Sequence, residues 1–424
     1  MHSCRISINK SIRWNIFCNY RTSSSKYKED EEHQNQEKEK WKKVPNLKVL
    51  SIHYNQNKTL LILGTNYGYR IFDVLNDYQL ISTVDESQKE LGPLNNVKVL
   101  YKSSLVGFIG SSDNQRFRDD TFYFYSDEYK KILSEISFSQ NIKDFYISSS
   151  LLFICFLSNI YVFELYSMKF IHKIPHCEYE EKLFSIVEDP LEETGDEEFI
   201  SNNKVISIGY VSSYHNEIKI QRYIINKNIP TFVVKDELRS DFNDGPNMIK
   251  LVKGLKIIVL SKNGNKLHIY DYVNNSLLYC LFLGNADLNI MDINFGLKNK
   301  FLMFHYNLYK IDIIKMDIQN KKVKCECYKY NDNTKNKAVY KRLKTYDFNN
   351  NKNKIEKVYS SHTILNKNKA TDFVCQFDPK EKDIINVVND KGFLTVYQFD
   401  RKKEGHKFKT IKNICLFEED LAEY

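Results

Sequence analysis

From residue 47 onward the apolar residues of this 424-residue chain fall into short runs, separated by stretches of Asn, Asp, Ser, Lys and Gly. The clearest instance is Leu255–Phe295, LKIIVLSKNGNKLHIYDYVNNSLLYCLFLGNADLNIMDINF. Leu255–Leu260, Leu267–Tyr272 and Leu277–Leu283 are apolar, Asn-Gly and Asn-Asn pairs punctuate them, and Ile290–Phe295 opens the next group. Such runs, bounded by residues that accept positive φ, predict antiparallel strands joined by tight turns. The grouping recurs over residues 47–84, 97–138, 142–174, 183–234, 248–283, 290–365 and 373–417. Seven groups of four short strands predict an all-β, WD-repeat-like, seven-bladed β-propeller over residues 45–419, in which the ring closes because no single blade buries both of its faces. No amphipathic helix longer than three turns interrupts the pattern, so a doubly wound α/β fold is not expected.

Two interruptions break the rhythm. Glu188–Glu198, EDPLEETGDEE, reads as a solvated acidic loop between the first two strands of the fourth group. The second is an insertion in the sixth group, Lys315–Lys354, which displaces that group's last strand to about Val358–Leu365. It is rich in Lys and Asn and contains AVYKRLKTYDF at Ala338–Phe348; an insertion of this length is either disordered or functional. Before the propeller, residues 1–28 are basic and free of acid, followed by the mixed-charge run Glu29–Val44. Residues 1–44 therefore read as a disordered tail or an organelle-targeting segment.

Composition changes this picture little. The net charge of +8 permits contact with anionic lipid without demanding it, and the basic residues are dispersed among 54 acidic ones, which argues against a nucleic-acid partner. The nine cysteines are scattered, several within apolar runs, with no spacing for a disulfide framework or a zinc site; a reducing compartment is the simplest reading. No apolar run is long enough to span a membrane.

Four segments, taken in order, carry a resemblance: TNYGYRIFDV (Thr65–Val74), LVGFIGSSDN (Leu105–Asn114), ILSEISFSQNIKDFYIS (Ile132–Ser148) and NIYVFELYSMKFIHKI (Asn159–Ile174). In content and spacing they resemble the PROPPIN family, WD-repeat propellers that bind phosphoinositides and act in autophagy. The resemblance implies a headgroup site at the end of the fifth blade, where the family carries Phe/Leu-Arg-Arg-Gly. Each guanidinium there would donate paired hydrogen bonds to phosphate oxygens. In this chain the corresponding residues are Leu281, Phe282, Leu283 and Gly284, with Ser261 opening the family's Ser-x-x-Gly turn at Ser261–Gly264. Both arginines are replaced by apolar residues, which cannot hold phosphate. The family's His-containing link into blade five is likewise replaced, by Lys235–Pro246.

The resemblance also implies membrane insertion of a loop of the sixth blade, the place of Lys315–Lys354. Tyr340, Leu343, Tyr346 and Phe348 would enter the headgroup boundary while Lys341, Arg342 and Lys344 pair with anionic lipid. Elsewhere no catalytic or nucleotide-binding motif occurs, and no paired carboxylates suggest acid–base work. His172 and His176, beside Cys177, lack a second ligand pair. His53, His268 and His305 read as half-buried structural residues, and Asp73, Asp271 and Asp312 as turn or blade-to-blade hydrogen-bonding groups. The expectation is a non-enzymatic, monomeric scaffold without cofactor, cytoplasmic and peripheral on endomembranes. Its partners would be trafficking or autophagy proteins, and a phosphoinositide-containing membrane where the degenerate site permits. The alternative is a propeller that serves only as a protein-interaction platform.

Overall fold

The computed structural model describes residues 5–8, 47–84, 91–178, 180–190, 203–212, 217–226, 229–239, 245–252, 256–264, 266–272, 276–282, 290–296, 301–306, 310–315, 326–327, 362–363, 373–381, 383–399 and 408–417. Within them lie seven antiparallel sheets in chain order. Blade 1 runs from Val49–Tyr54 through Leu60–Thr65 and Gly68–Asp73 to Gln79–Val84. Blade 2 spans Leu94–Val99 to Lys131–Ser137, blade 3 Asp144–Ile147 to Phe170–Pro175, and blade 4 Phe184–Pro190 to Ile229–Arg239. Blade 5 spans Pro246–Val252 to Ser276–Phe282, blade 6 starts at Ile290–Gly296, and blade 7 spans Phe373–Phe377 to Lys409–Cys415. The only helical pieces among the described residues are the 3-10 turns Val74–Asn76 and Glu181–Leu183.

The burial pattern explains why the middle strands of a blade read as unbroken apolar runs. Leu60–Thr65, Gly68–Asp73, Leu105–Gly110 and Thr121–Ser126 are buried at every position, because neighbouring blades cover both sheet faces. Outer strands such as Gln79–Val84 and Phe170–Pro175 keep exposed positions, since their far edge faces outward. The core is accordingly a series of layers between blades. Phe108, Tyr123 and Tyr125 pack with Leu60 and Tyr69 between blades 1 and 2, and Phe122 and Phe124 pack with Phe145 and Phe163 between blades 2 and 3. Similar clusters lie between blades 3 and 4, 4 and 5, and 6 and 7.

Among the described residues the last blade packs on the first, and no strand is exchanged between them. Leu61, Leu63 and Phe72 of blade 1 bury against Val388, Leu394 and Phe417 of blade 7. The Arg70 guanidinium stacks over the Phe417 ring, 5.1 Å from its centroid, and Lys380 Nζ donates to the Leu75 carbonyl at 2.5 Å. The innermost strands surround a central channel of about 1230 Å³, lined by residues that include His53, Asp144, Lys182, Lys250, Asp292 and His305.

Three sequence expectations change. Glu188–Glu198 is not wholly a solvated loop, because the innermost strand of blade 4 continues through Glu188 and Asp189 to Pro190. The Glu188 carboxylate accepts hydrogen bonds from Tyr101 Oη at 2.6 Å and from Ser149, and pairs with Lys204 Nζ at 3.2 Å, so it bridges blades 2, 3 and 4. The expected last strand of blade 6 is shared between two short pieces. Glu326–Cys327 pairs with Ile314–Lys315, and His362–Thr363 pairs with Lys310–Ile311. The insertion thus begins with a partial return to the sheet before the chain comes back. Finally, Lys235–Arg239, expected as part of a link, extends the outermost strand of blade 4 opposite Glu217–Gln221.

Two of the three strand histidines sit deeper than expected. His268 and His305 are buried, whereas His53 is half-buried on the channel wall. Asp73 behaves as expected: it accepts from the Leu75 amide at 2.9 Å to start a turn, and Lys102 of blade 2 lies 3.3 Å from it.

Candidate headgroup region of blade 5 and the channel wall

Ser261, Leu281 and Phe282, nominated by the resemblance, lie at one end of blade 5, and local chemistry explains the turn there. The Gly264 amide donates to the Ser261 carbonyl at 2.8 Å, and Gly264 adopts φ +68°, a conformation that costs a side-chain-bearing residue about 1–2 kcal/mol. Ser261 Oγ accepts from the Lys266 amide at 3.0 Å and donates to Asn263 Oδ1 at 3.0 Å, closing the turn with its own side chain. Asn247 of the innermost strand donates to the Lys262 carbonyl at 2.9 Å and ties the turn to the blade.

The third strand leaves this turn at Lys266, and the fourth runs antiparallel to it, with Lys266 opposite Phe282 and Leu267 opposite Leu281. Phe282 therefore ends the outermost strand of blade 5 beside the Ser261 turn. This brings Ser261, Leu281 and Phe282 together at one end of the sheet. Leu283 and Gly284 lie outside the described residues, as do Tyr340, Lys341, Arg342, Leu343, Lys344, Tyr346 and Phe348. Near the strand end the chain offers the cations Lys262 and Lys266, each a compact ammonium without the forked donors of arginine.

A second polar feature escaped the sequence reading. Lys98 Nζ of blade 2 lies 2.5 Å from Oδ1 of Asp144, a channel-lining residue of blade 3, and donates to the Phe145 carbonyl at 2.7 Å. Asn96 and the Phe145 amide also donate to this carboxylate, both at 2.7 Å. The arrangement recurs three blades on. Lys250 of blade 5 lies 3.0 Å from Asp292 of blade 6, which also accepts from the Ile293 amide and from Asn294 Nδ2, both at 2.8 Å. Asn294 donates in turn to the Cys375 carbonyl of blade 7 at 3.0 Å. Burial would raise the pKa of Asp144 and of Asp292, but the adjacent lysines and hydrogen bonds outweigh it and hold both carboxyls below their usual range. Burial, reinforced by Lys98, pushes His53 down to about 3, and burial lowers His305 to about 4. The available signal was a single charge inside an apolar run, as in VKVL at Val97–Leu100 and IKLV at Ile249–Val252, which alternation alone reads as outward-facing.

Two further histidines make contacts within and between blades. His172 Nε2 lies 3.1 Å from both Gln221 Oε1 and Tyr223 Oη, joining blades 3 and 4, and His176 Nδ1 contacts the Cys177 carbonyl. Among the described residues no group of three His, Cys, Asp or Glu side chains could hold a metal ion, and no helix is long and apolar enough to cross a membrane.

Four-stranded antiparallel blades around a channel make the chain a β-propeller. No family model matches the sequence. Autophagy-related protein 18 of Kluyveromyces lactis is 24% identical over 202 residues, covering 47% of this chain and 37% of that protein. Autophagy-related protein 18e of Arabidopsis thaliana is 26% identical over 124 residues, covering 29% of this chain and 32% of that one. The matches thus span little more than a third of these relatives' own length. Among solved structures, Kluyveromyces lactis Hsv2 with complete loop 6CD superposes with a TM-score of 0.62 at 11% identity, covering 88% of this chain and 100% of that one. The complex of KlAtg21 with the coiled-coil of AgAtg16 gives 0.54 at 13% identity, covering 87% and 99%. The curated relatives are Atg18 family proteins and these structural neighbours are PROPPIN propellers, so both comparisons agree with the family resemblance carried by the sequence motifs.

Proposed function

We propose that this propeller is a scaffold for membrane-associated autophagy or endosomal trafficking whose phosphoinositide site is degenerate. The observation that carries the proposal is the position of Phe282. It ends the outermost strand of blade 5, beside the Ser261 turn and opposite Lys266, where the family resemblance calls for the first of two arginines. An aromatic side chain and the Leu283 that follows offer no hydrogen bond to phosphate, so headgroup affinity at this position is weak or absent. Membrane contact then falls to the Lys315–Lys354 insertion, through Tyr340, Leu343, Tyr346 and Phe348 together with Lys341, Arg342 and Lys344. The chain would work as a monomer at the cytoplasmic surface of endomembranes, with autophagy or trafficking proteins as partners.

Liposome flotation tests this reading. The full chain should float with anionic vesicles, lose flotation on deletion of Ala338–Phe348, and show little dependence on phosphatidylinositol 3-phosphate. Installing the missing pair, Phe282→Arg with Leu283→Arg, should create that dependence. Absence of flotation at any lipid composition sinks the membrane role. The second reading, a protein-interaction platform without lipid binding, is favoured by a solved relative of similar fold, Atg21, whose structure is a complex with a coiled-coil. Flotation separates the two.

A further inference from the structure

Blade 2 differs from the other blades at its rim. Its four consecutive strands are joined by a fifth, Arg5–Ile8, which pairs antiparallel with the outermost strand Lys131–Ser137 in the register Arg5↔Ser137, Ile6↔Ile136, Ser7↔Glu135 and Ile8↔Ser134. Among the described residues no other outermost strand is paired on its outward side; the two short pieces in blade 6 both pair with the third strand.

The acceptor strand buries more of its residues than the outermost strands of blades 1, 3 and 7. Leu133, Ser134 and Ile136 are buried on it, and Ser134 is only 3% exposed although it lies on the last of the blade's own four strands. The outermost strand of blade 1 buries Ser82 and Val84, that of blade 3 one residue of six, and that of blade 7 Cys415 alone. An outermost strand carries a row of backbone N–H and C=O groups facing away from its sheet, and pairing satisfies them where water does not reach. The sequence Arg-Ile-Ser-Ile alternates polar and apolar residues, and Ile6 lies opposite Ile136 of the strand it joins.

We propose that the outer edge of blade 2 is a strand-accepting site, occupied by residues 5–8 of the same chain. The ligand class is an extended peptide recognised through its backbone, with side-chain alternation setting the register. Because the occupant is tethered through residues 9–46, it fills the site at high effective concentration, and a competing strand from another protein must displace it. Residues 5–8 therefore guard an edge that would otherwise recruit extended segments.

Hydrogen–deuterium exchange on the full chain tests the proposal. Of two successive residues in a strand, one points its N–H at the neighbouring strand, so Ile6→Pro with Ser7→Pro removes a ladder bond whichever it is. The Lys131–Ser137 amides should then exchange at least about tenfold faster than in the unmodified chain. Unchanged exchange at Thr121–Ser126, one strand inward, reports an intact blade. A synthetic peptide of residues 1–12 added to the variant should restore slow exchange, and a scrambled peptide should not. Equal exchange in the two chains, or a variant whose amides the peptide leaves unprotected, overturns the proposal. Neither readout involves lipid, so the outcome is independent of the flotation result.

Discussion

Gly392 and Phe417 show how a single side chain can decide the closure of the ring. Gly392 adopts φ +75°, and a Cβ there would run into the Phe417 ring, the same ring that Arg70 covers from blade 1. Gly392→Ala therefore combines a left-handed backbone with overpacking. It should destabilise the protein by about 2–3 kcal/mol, read as a lower urea midpoint at unchanged slope. The channel histidines set a pH dependence. His53 is lowered to about 3 and His305 to about 4 from an ordinary value of 6.5, so below pH 6.5 the unfolded chain takes up protons that the folded chain refuses. Stability is then at its full value above pH 6.5 and falls as pH drops toward 4, by up to about 1.4 kcal/mol per pH unit for each histidine. Asp144 and Asp292, whose pKa values are depressed, act lower: their contribution is present above the ordinary carboxylate range and fades as pH falls through it. Melting temperatures measured from pH 7.5 to 5 should decline, and His53→Gln should flatten the decline; a flat profile in the unmodified chain would refute the assignment.

Each blade is an independent hairpin series whose register follows from local turns, but the joints between blades are polar as well as greasy. Lys98 and Asp144 are 19% and 13% exposed, and the carboxylate keeps its charge through three donors: Lys98, Asn96 and the Phe145 amide. Lys98 also donates to the Phe145 carbonyl. Lys98→Met should cost about 2 kcal/mol, because it strands part of a desolvated carboxylate. The Lys412–Asp77 pair joins blades 7 and 1 at 2.9 Å, but its side chains are 43% and 83% exposed, and Lys412→Met should change stability by less than about 0.5 kcal/mol. A double-mutant cycle with Asp144→Asn measures the coupling directly; near-zero coupling would mean that the joint is held by packing alone. Sequence reading captured the strands of these elements well. The runs Leu255–Leu260, Leu267–Tyr272 and Leu277–Leu283 lie within one residue of the strands Lys256–Ser261, Lys266–Asp271 and Ser276–Phe282. It misjudged Glu188, because an acidic residue beside a run of further acids looks solvated until Tyr101 and Ser149 from two other blades are seen to meet it.

For the ring as a whole, the manner of closure matters most. In the described residues blade 7 is built from four consecutive strands ending at Cys415, and blade 1 from four consecutive strands beginning at Val49. No strand crosses the seam, so Leu394, Phe417 and Leu61 must hold it by burial. Ending the chain after Gln398 removes the Lys409–Cys415 strand together with Phe417. It should abolish a single cooperative melt, since an opened ring exposes the faces of blades 1 and 7. A truncated chain that still melts in one sharp transition would show that the seam carries little of the stability.

The period of apolar runs was enough to read an all-β ring of like sheets, because strand length and turn chemistry are local properties of the chain. The four ordered motifs carried the family resemblance, and only that resemblance nominated the end of blade 5, where strand pairing sets Phe282 opposite Lys266. Pairings between blades were not legible. The repeated Lys98–Asp144 and Lys250–Asp292 joints, the Arg70–Phe417 seam and the Arg5–Ile8 strand on blade 2 each join residues from separate elements. Charge neutralisation, ring stacking and edge pairing depend on which elements become neighbours in space, and nothing in the local run of residues carries that distance.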